Sequence, residues 1–438
     1  MPETPEKHYQ MFTDLCNRPI SFKNNCFVRN KNLSVSFEEA QNIILNSVNP
    51  LKCENISILE AFNRVLYEDI VSDIMMPSVD DSAVDGYAII ADDTYGASKN
   101  NPVKLQIIGE IQAGGSIIGK HVSKGTAIRI MTGAPIPVGA DSVVRFEDTK
   151  EEAGYIKILS ETAQYNNYRS AGEHIKKGDK VLRKGDRLRS ADVGILVSLN
   201  YKTVKVYKQP TVSIISTGDE LADIGEEIQT GRIRNVNAYT VCSEVKKYSG
   251  IPDYLGISKD TLQDMKEMFS KALKSDVVIS TGGVSTGKYD FVKEIYSDLN
   301  IDVQFERVNV KPGSPCTFGT KDNKLFFGLP GNPVPTLTSF IQFVRPALLG
   351  LMGAKRIRKP IVNAFLEEDI NSGEVHHLLR GFFTIKNNEF HVSATGNQKP
   401  SMLRSMSAAN CLIIVPENVT SVKAGEKVAI QLIHHDEI

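Results

Sequence analysis

The sequence lacks an excess of either charge: 51 Lys and Arg against 52 Asp and Glu leave a formal −1 over 438 residues. Phosphate-backbone binding draws on a basic surplus, so nucleic acid is not expected as a partner. It also lacks paired cysteines. Cys16, Cys26, Cys53, Cys242, Cys316 and Cys411 show no Cys-x-x-Cys spacing, which argues against a zinc site or a disulfide framework and fits a reducing, cytoplasmic compartment. No run is expected to reach the length of a membrane span, and the polar start MPETPEKHYQ does not read as a signal peptide. GxxxxGK[ST] and GxGxxG are both missing, so neither a Walker A loop nor a dinucleotide fingerprint is present. There is no low-complexity tract and no convincing repeat.

What is there is a soluble globular composition, 41% hydrophobic and 24% charged. The length is too great for one core and predicts about three or four domains. The most informative stretch is DVVISTGGVSTGKYDFVKEI, from Asp276 to Ile295. Its apolar, β-branched start fits a strand buried on both faces, Gly282-Gly283 ends it, and helical spacing resumes from Tyr289. Such a turn leaves backbone N–H groups and a helix N-terminus at the strand's carboxyl end, a place for a phosphate or another oxyanion. An ordinary tight turn is the plain alternative.

Read in order, residues 1–34 form an extension. Ser36 and Glu39 make a capping box for a first helix, and Leu59–Val65 reads as a second. Short strands between Gly and Pro turns from Val103 to Ile158 predict an all-β insert. Ala191–Leu199 is helical. From Thr211 to Leu349 strands alternate with helices, which implies a parallel sheet with helices on both faces and a ligand crevice off the strands' carboxyl ends. From Pro360 onward, short alternating segments predict a small β-barrel or sandwich. The expected divisions are residues 35–75 with 165–200 as an elongated linker, 76–164 as the β-rich insert, 201–349 as the α/β domain and 350–438 as the C-terminal barrel.

Four turns of the α/β region carry Gly or carboxylates: Thr217-Gly218-Asp219-Glu220, Gly282-Gly283-Val284-Ser285, Lys311-Pro312-Gly313-Ser314-Pro315 and Leu329-Pro330-Gly331-Asn332-Pro333. Singly, each fits simple turn geometry. Together they supply donors (Ser285, Ser314, Lys311, Asn332) and acids (Asp219, Glu220, Asp290), a mixture suited to a phosphate ester bridged by magnesium. A second constellation is Asp80, Asp81 and Asp85, which repel unless solvated, cation-bound or hydrogen-bonded. The apolar Tyr87–Ile90 run fixes this loop to a strand. Thr132, in Arg129–Pro135, could donate to a substrate oxygen or cap its turn.

In this order, MPSVDDSAVDGYAI, RIMTGAPIP, STGDEL, the GGVS turn, KPGSP and GLPGNPV resemble the motifs of the molybdopterin molybdenumtransferase family, known as MoeA and as the E domain of gephyrin. The resemblance spans roughly residues 35 to 438. It implies an α/β domain like the molybdopterin adenylyltransferase, beside an all-β insert, an extended linker domain and a C-terminal β-barrel. It also implies a homodimer that inserts molybdate into adenylated molybdopterin and releases AMP with Mg2+. Carried over by motif, Asp85 serves the chemical step. Thr132, Glu220, Asp260 and Asp290 position substrate or magnesium, with Asp85, Glu220 and Asp290 as metal ligands. Gly282, Gly283 and Ser285 receive the pterin phosphate or nucleotide. Arg307, Lys311 and Ser314 face the anion, with Arg380 and Ser401 contributing from the C-terminal domain.

The chain departs from the family pattern at several places. Lys288 stands where an acid is frequent, Ser314 and Arg307 where lysine is frequent, and His174 where Asp is. The family's serine near PSML aligns closest to Pro400, with Ser401 adjacent, and its DSN-like motif reads Asn235-Val236-Asn237. Arg for Lys replaces a point charge with a planar fork. Alternatives are therefore a paralogue with changed oxyanion preference, such as tungstate, and a gephyrin-like scaffold. The adenylyltransferase is a further possible partner.

Overall fold

A computed structural model of the chain describes residues 34–283 and 291–433. These divide into two compact units, one from residues 34–67, 185–189 and 203–433, the other from residues 68–184 and 190–202.

In the first unit, helix α1 (Phe37–Asn46) starts on the predicted capping box. Ser36 Oγ accepts from the Glu39 N–H at 3.2 Å, and the Ser36 N–H donates to Glu39 Oε2 at 2.9 Å. The helix expected over Leu59–Val65 is absent. Only a 3-10 turn forms at Ile58–Glu60, because Asn63 takes a left-handed φ of 64° and Val65 and Leu66 bridge to Arg187 and Val206.

The central sheet contains β1 (Thr211–Thr217), β2 (Ile251–Ser258), β3 (Val277–Thr281), β4 (Asp302–Val308), β5 (Pro315–Lys321) and β6 (Lys324–Leu329). With Ser34–Val35 at one edge, the order is Ser34–Val35, β4, β5, β6, β3, β1, β2. The core β6-β3-β1-β2 is parallel as expected, but β5 runs antiparallel to both neighbours, so the sheet is mixed. The reason is local. Asp322 and Asn323, at φ 50° and 62°, make a two-residue turn between β5 and β6, too short for a crossover helix.

Helices α2 (Val236–Lys247), α3 (Leu262–Ala272), α4 (Phe291–Asp298) and α5 (Pro333–Ser339) cover the sheet. Strand β3 is buried on both faces: Val277 and Ile279 join one core with Val241 and Phe340, while Val278 joins another with Met265 and Phe269. Helix α5 continues through a π-helical stretch (Phe340–Val344) to Leu351. Pro346 offers no N–H to Gln342, whose carbonyl instead accepts from Gln41 Nε2 at 3.3 Å. The whole of Pro333–Leu351 is long and apolar enough to cross a membrane, contrary to expectation, but 94% of its apolar window is buried inside the protein. It is a core helix.

The C-terminal segments close into a barrel rather than a sandwich. Strands β7 (Ile361–Leu366), β8 (His376–Lys386), β9 (Glu389–Ala394), β10 (Cys411–Val415) and β11 (Lys427–Leu432) pair in the order β8-β9-β7-β11-β10, and β10 returns to β8. The short strand Val310–Lys311 adds to β8, with Lys311 opposite His377.

The second unit holds the predicted β insert. Its sheet runs Ser142–Arg145, Gly86–Ile89, Thr126–Ile130, Val103–Ile111, Tyr155–Ile158, Thr149–Glu152. Apolar clusters cover both faces, one around Tyr87 and Ile89, the other around Ala88 and Ile128. Helix Ser190–Ser198 lies where the sequence predicts one.

Candidate functional site

In the second unit, each of the three clustered carboxylates has its own donors. Asp80 accepts from the Tyr168 hydroxyl and, at 2.8 Å, from the Ala171 N–H. Asp81 is buried and paired with Arg169 Nε at 2.7 Å. Asp85 alone is exposed. Its Oδ1 accepts from the Thr132 N–H at 2.7 Å and from Thr132 Oγ1 at 2.8 Å. No hydrogen bond reaches its Oδ2 from the described residues.

The first of those donors, then the second, hold the Asp85 carboxyl below the usual carboxylate range. Asp85 therefore stays ionised at neutral pH. It can ligate a hard cation, accept a proton or oppose a developing positive charge, but it is not built to give a proton.

The backbone explains the placement. The strand Gly86–Ile89 is buried throughout and begins one residue after Asp85. A Cβ on Gly86 would lie 2.0 Å from the Val144 carbonyl oxygen of the paired strand, so only glycine fits there. The Met131–Pro135 turn is clamped to the acid loop. The Gly133 N–H donates to Ser82 O at 2.8 Å, and the Ser82 N–H to Ala134 O at 3.0 Å.

In the first unit, strand register places the predicted turns on one rim of the sheet. Thr217 pairs with Ser258, Ser216 with Thr281, Thr281 with Leu329, and Arg307 with Pro315. The carboxyl ends of β1, β2, β3, β4 and β6 and the start of β5 thus share an edge. Strand β1 leads to β2 on one side and has β3 on the other, so the crevice of an open α/β sheet falls between β1 and β3. Gly282 and Gly283 sit there at φ 87° and 69°. A Cβ on Gly282 would meet the Thr217 carbonyl oxygen at 2.6 Å, and one on Gly331 would lie 3.6 Å from the Gly282 Cα. Glycine at 282 is what lets its turn meet the Thr217 turn.

Around this crevice, the Asp219 N–H donates to Asp260 Oδ2 at 3.4 Å and the Asp260 N–H to Asp219 Oδ1 at 3.3 Å. Glu220 is exposed beside them. Across the rim, Arg307 and Lys311 are exposed and have no carboxylate partner among the described residues. Ser314 is half-buried, and its carbonyl accepts from the Val308 N–H at 3.0 Å.

Arg380 does not face solvent. It is 1% exposed, and its guanidinium donates to Ser405 Oγ at 2.9 Å, Asn397 O at 2.9 Å and Lys399 O at 3.3 Å. This corrects the expectation of a direct anion contact: Arg380 holds the loop carrying Ser401. That loop docks on the rim, because Pro400 O accepts from the Val334 N–H at 3.2 Å at the start of α5.

Ser285 and Asp290, with Lys288, lie outside the described residues. Among those described, no group of three or more His, Cys, Asp or Glu is placed to enclose a metal ion. Magnesium binds through one or two carboxylates and completes its shell with water and substrate phosphates. Asp219, Glu220 and Asp260 are oxygen donors of the right kind. Sequence reasoning missed Arg169, the partner of Asp81, and the buried Asn237, whose Nδ2 donates to Gly331 O at 2.7 Å. Nothing local marks the first, since Arg129 and Arg145 both lie nearer to Asp81 in the sequence than Arg169 does. The second lies in the DSN-like stretch already noted as a departure.

Comparison with known proteins gives three matches along the chain: the MoeA N-terminal region (domain I and II) over residues 35–200, a probable molybdopterin binding domain over 213–350, and the MoeA C-terminal region (domain IV) over 363–433. A molybdopterin molybdenumtransferase of Staphylococcus epidermidis is 37% identical over 404 residues, covering 92% of this chain and 96% of that protein. One from Staphylococcus aureus is 35% identical over the same lengths. The crystal structure of the molybdopterin biosynthesis moeA protein from Pyrococcus horikoshii superposes with a TM-score of 0.77 at 34% identity, covering 91% of this chain and all (100%) of that one.

Proposed function

The chain belongs to the molybdopterin molybdenumtransferase family, and from that premise we propose that it inserts molybdate into adenylated molybdopterin, with magnesium-dependent release of AMP. The observation that carries this reading is the rim of the first unit. Two cations without carboxylate partners among the described residues, Arg307 and Lys311, stand on the same edge as the Gly282-Gly283 turn and the acids Asp219, Glu220 and Asp260. Both substrates are anions. Bringing a tetrahedral dianion to a phosphate-bearing pterin is opposed by their repulsion, and fixed cations lower that cost.

In this reading Arg307 and Lys311 hold the anion, and Ser314 helps shape the connection between them and β5. Gly282 and Gly283, with Ser285, receive the pterin phosphate or the nucleotide. Glu220, Asp260 and Asp290 hold magnesium, which when bound neutralises phosphate charge. Asp85 is assigned the chemical step, and Thr132 keeps its reactive oxygen oriented by occupying the other. Arg380 acts through the loop it fixes, bringing Ser401 to the rim. We place the protein in the cytoplasm as a homodimer.

The test is direct. Purified protein is supplied with adenylated molybdopterin, molybdate and magnesium, and AMP is measured. The reading predicts stoichiometric AMP release that depends on molybdate. A folded protein that binds the pterin and releases no AMP refutes it.

A further inference from the structure

The loop that carries Asp219 and Glu220 leaves β1 and returns to α2 through residues 218–235. Its base is a short parallel bridge, Leu221–Ala222 against Ile233–Arg234. The Ile233 N–H donates to Glu220 O at 2.8 Å, the Asn235 N–H to Ala222 O at 3.0 Å, and the Leu221 N–H to Gly218 O at 3.1 Å. These bonds set the shape of the loop but do not attach it to the sheet. Side chains do: the Asp219–Asp260 pair where it leaves β1, Asn235 where it meets α2, and Asp223 between them. Asp223 Oδ1 accepts from the Tyr239 hydroxyl on α2 at 2.6 Å, and Asp223 Oδ2 from the Tyr254 hydroxyl on β2 at 2.9 Å.

The chain of contacts continues inward. Asn235 Nδ2 donates to the Tyr254 oxygen at 2.8 Å, and Asn235 Oδ1 accepts from Ser216 Oγ at 3.0 Å. Ser216 Oγ lies 3.2 Å from Thr281 Oγ1, at the end of β3 and immediately before Gly282. Asp223 also accepts from the Ile224 N–H at 2.8 Å, and its own carbonyl accepts from Arg234 Nη1.

We propose that Asp223 is a positioning residue for the reaction: through Tyr239, Tyr254 and Asn235 it fixes the Glu220 loop against the Gly282 turn. It touches no substrate. A carboxylate suits the place because only an acceptor with two oxygens can take both phenol protons while Tyr254 is itself accepting from Asn235. An amide at residue 223 offers one acceptor and one donor, and leaves one phenol proton without a home.

This inference rests on the function proposed above, and its test separates the two. Amide hydrogen exchange and AMP-release kinetics are compared for wild type, Asp223→Asn, and the double variant Tyr239→Phe/Tyr254→Phe, which keeps the carboxylate and removes both donors. The expected result is at least tenfold faster exchange at Ile233 and Asn235, with other core amides unchanged. A fall of at least tenfold in kcat should accompany it, with a smaller change in KM. Each single Tyr→Phe variant keeps one tether and should lose less. Unchanged exchange in both variants overturns the tether. Faster exchange with wild-type kcat overturns the positioning role, and so does a kcat loss tracked by general unfolding. If wild type itself releases no AMP, the reaction reading fails, and the exchange arm decides the tether alone.

Discussion

Gly86→Ala is the substitution whose cost the structure specifies most tightly. The added Cβ would stand 2.0 Å from the Val144 carbonyl oxygen and 3.2 Å from the Arg145 Cα. An ordinary carbon–oxygen approach between strands is about 3.3–3.6 Å, so roughly 1.3 Å of separation must be found. No flexible side chain can supply it, since both obstacles are backbone. The Gly86–Ile89 strand must therefore part from Ser142–Arg145, against which it pairs from Gly86↔Arg145 to Ile89↔Ser142. Overpacking of this kind costs about 3 kcal/mol, and each ladder bond lost adds about 1 kcal/mol. Chemical denaturation followed by circular dichroism should show the unit holding residues 68–184 unfolding first, with a clearly lower midpoint. Gly194→Ala is the internal control. That glycine lies exposed in helix Ser190–Ser198 with nothing within 4 Å of a built Cβ, so alanine there should stabilise by about 0.5–1 kcal/mol. If Gly86→Ala unfolds at the wild-type midpoint, the strands are not as close as described and the account of how Asp85 is placed fails with them.

Asp85→Ala should abolish AMP release while leaving the unfolding midpoint and the assembly state unchanged; loss of folding would make Asp85 a structural turn residue. Lys311→Ala should weaken molybdate binding, measured by titration calorimetry, more than Lys177→Ala does, and equal effects would remove Lys311 from the site. Thr132→Val should lower the AMP-release rate, whereas Thr132→Ser, which keeps both donors to Asp85, should restore it. Stability should also fall in mild acid. Burial, with His377 close by, pushes His376 down to about 4, and burial, with Lys311 and Arg380 adding, pushes His377 down to about 4. Both folded-state values lie below the free value of 6.5, so the unfolded chain takes up protons first. Stability is then lost as pH falls from about 6.5 toward 4, by on the order of 3 kcal/mol per histidine. A flat unfolding midpoint across that window would contradict their burial as neutral groups.

Much of this architecture was legible where the signal is local. Ser36 and Glu39 announce α1 three residues apart, and Val277–Ile279 reads as doubly buried because nothing polar interrupts it. The antiparallel β5 was missed although its signal is present: Asp322-Asn323 is a hairpin turn, but alternation of strand and helix invites a parallel reading throughout. Gly86 shows a different failure. Next to Asp85 it reads as a turn glycine, whereas its requirement comes from a carbonyl nearly sixty positions later in the chain, at Val144. Arg380 could not be placed from sequence at all. Whether a basic residue meets an anion or a set of carbonyls depends on the loop over it, and here the loop at Asn397–Lys399 claims it. The Asp223 cluster was invisible for the same reason, since Tyr239 and Tyr254 belong to a helix and a strand with no shared pattern.

The acid loop shows how similar residues acquire different work. Asp80, Asp81 and Asp85 fall within six consecutive positions, and sequence alone treats them as one repelling cluster. The structure separates them by giving each its own donors. Asp80 and Asp81 are consumed by Tyr168, Ala171 and Arg169, contacts that fasten the segment at 168–171 to the loop. Removing either acid should loosen that segment before it touches any chemistry. Among the described residues Asp85 is tied by one oxygen only, to Thr132 in the turn that follows strand Thr126–Ile130. A carboxylate held ionised in this way gains little from further lowering of its pKa, because at neutral pH it is already fully charged. The contribution of Thr132 is therefore one of direction rather than ionisation, which is why its loss should slow the reaction without moving the pH dependence near neutrality. A shift of that profile in Thr132→Val would mean that protonation of Asp85, and not its orientation, controls the rate.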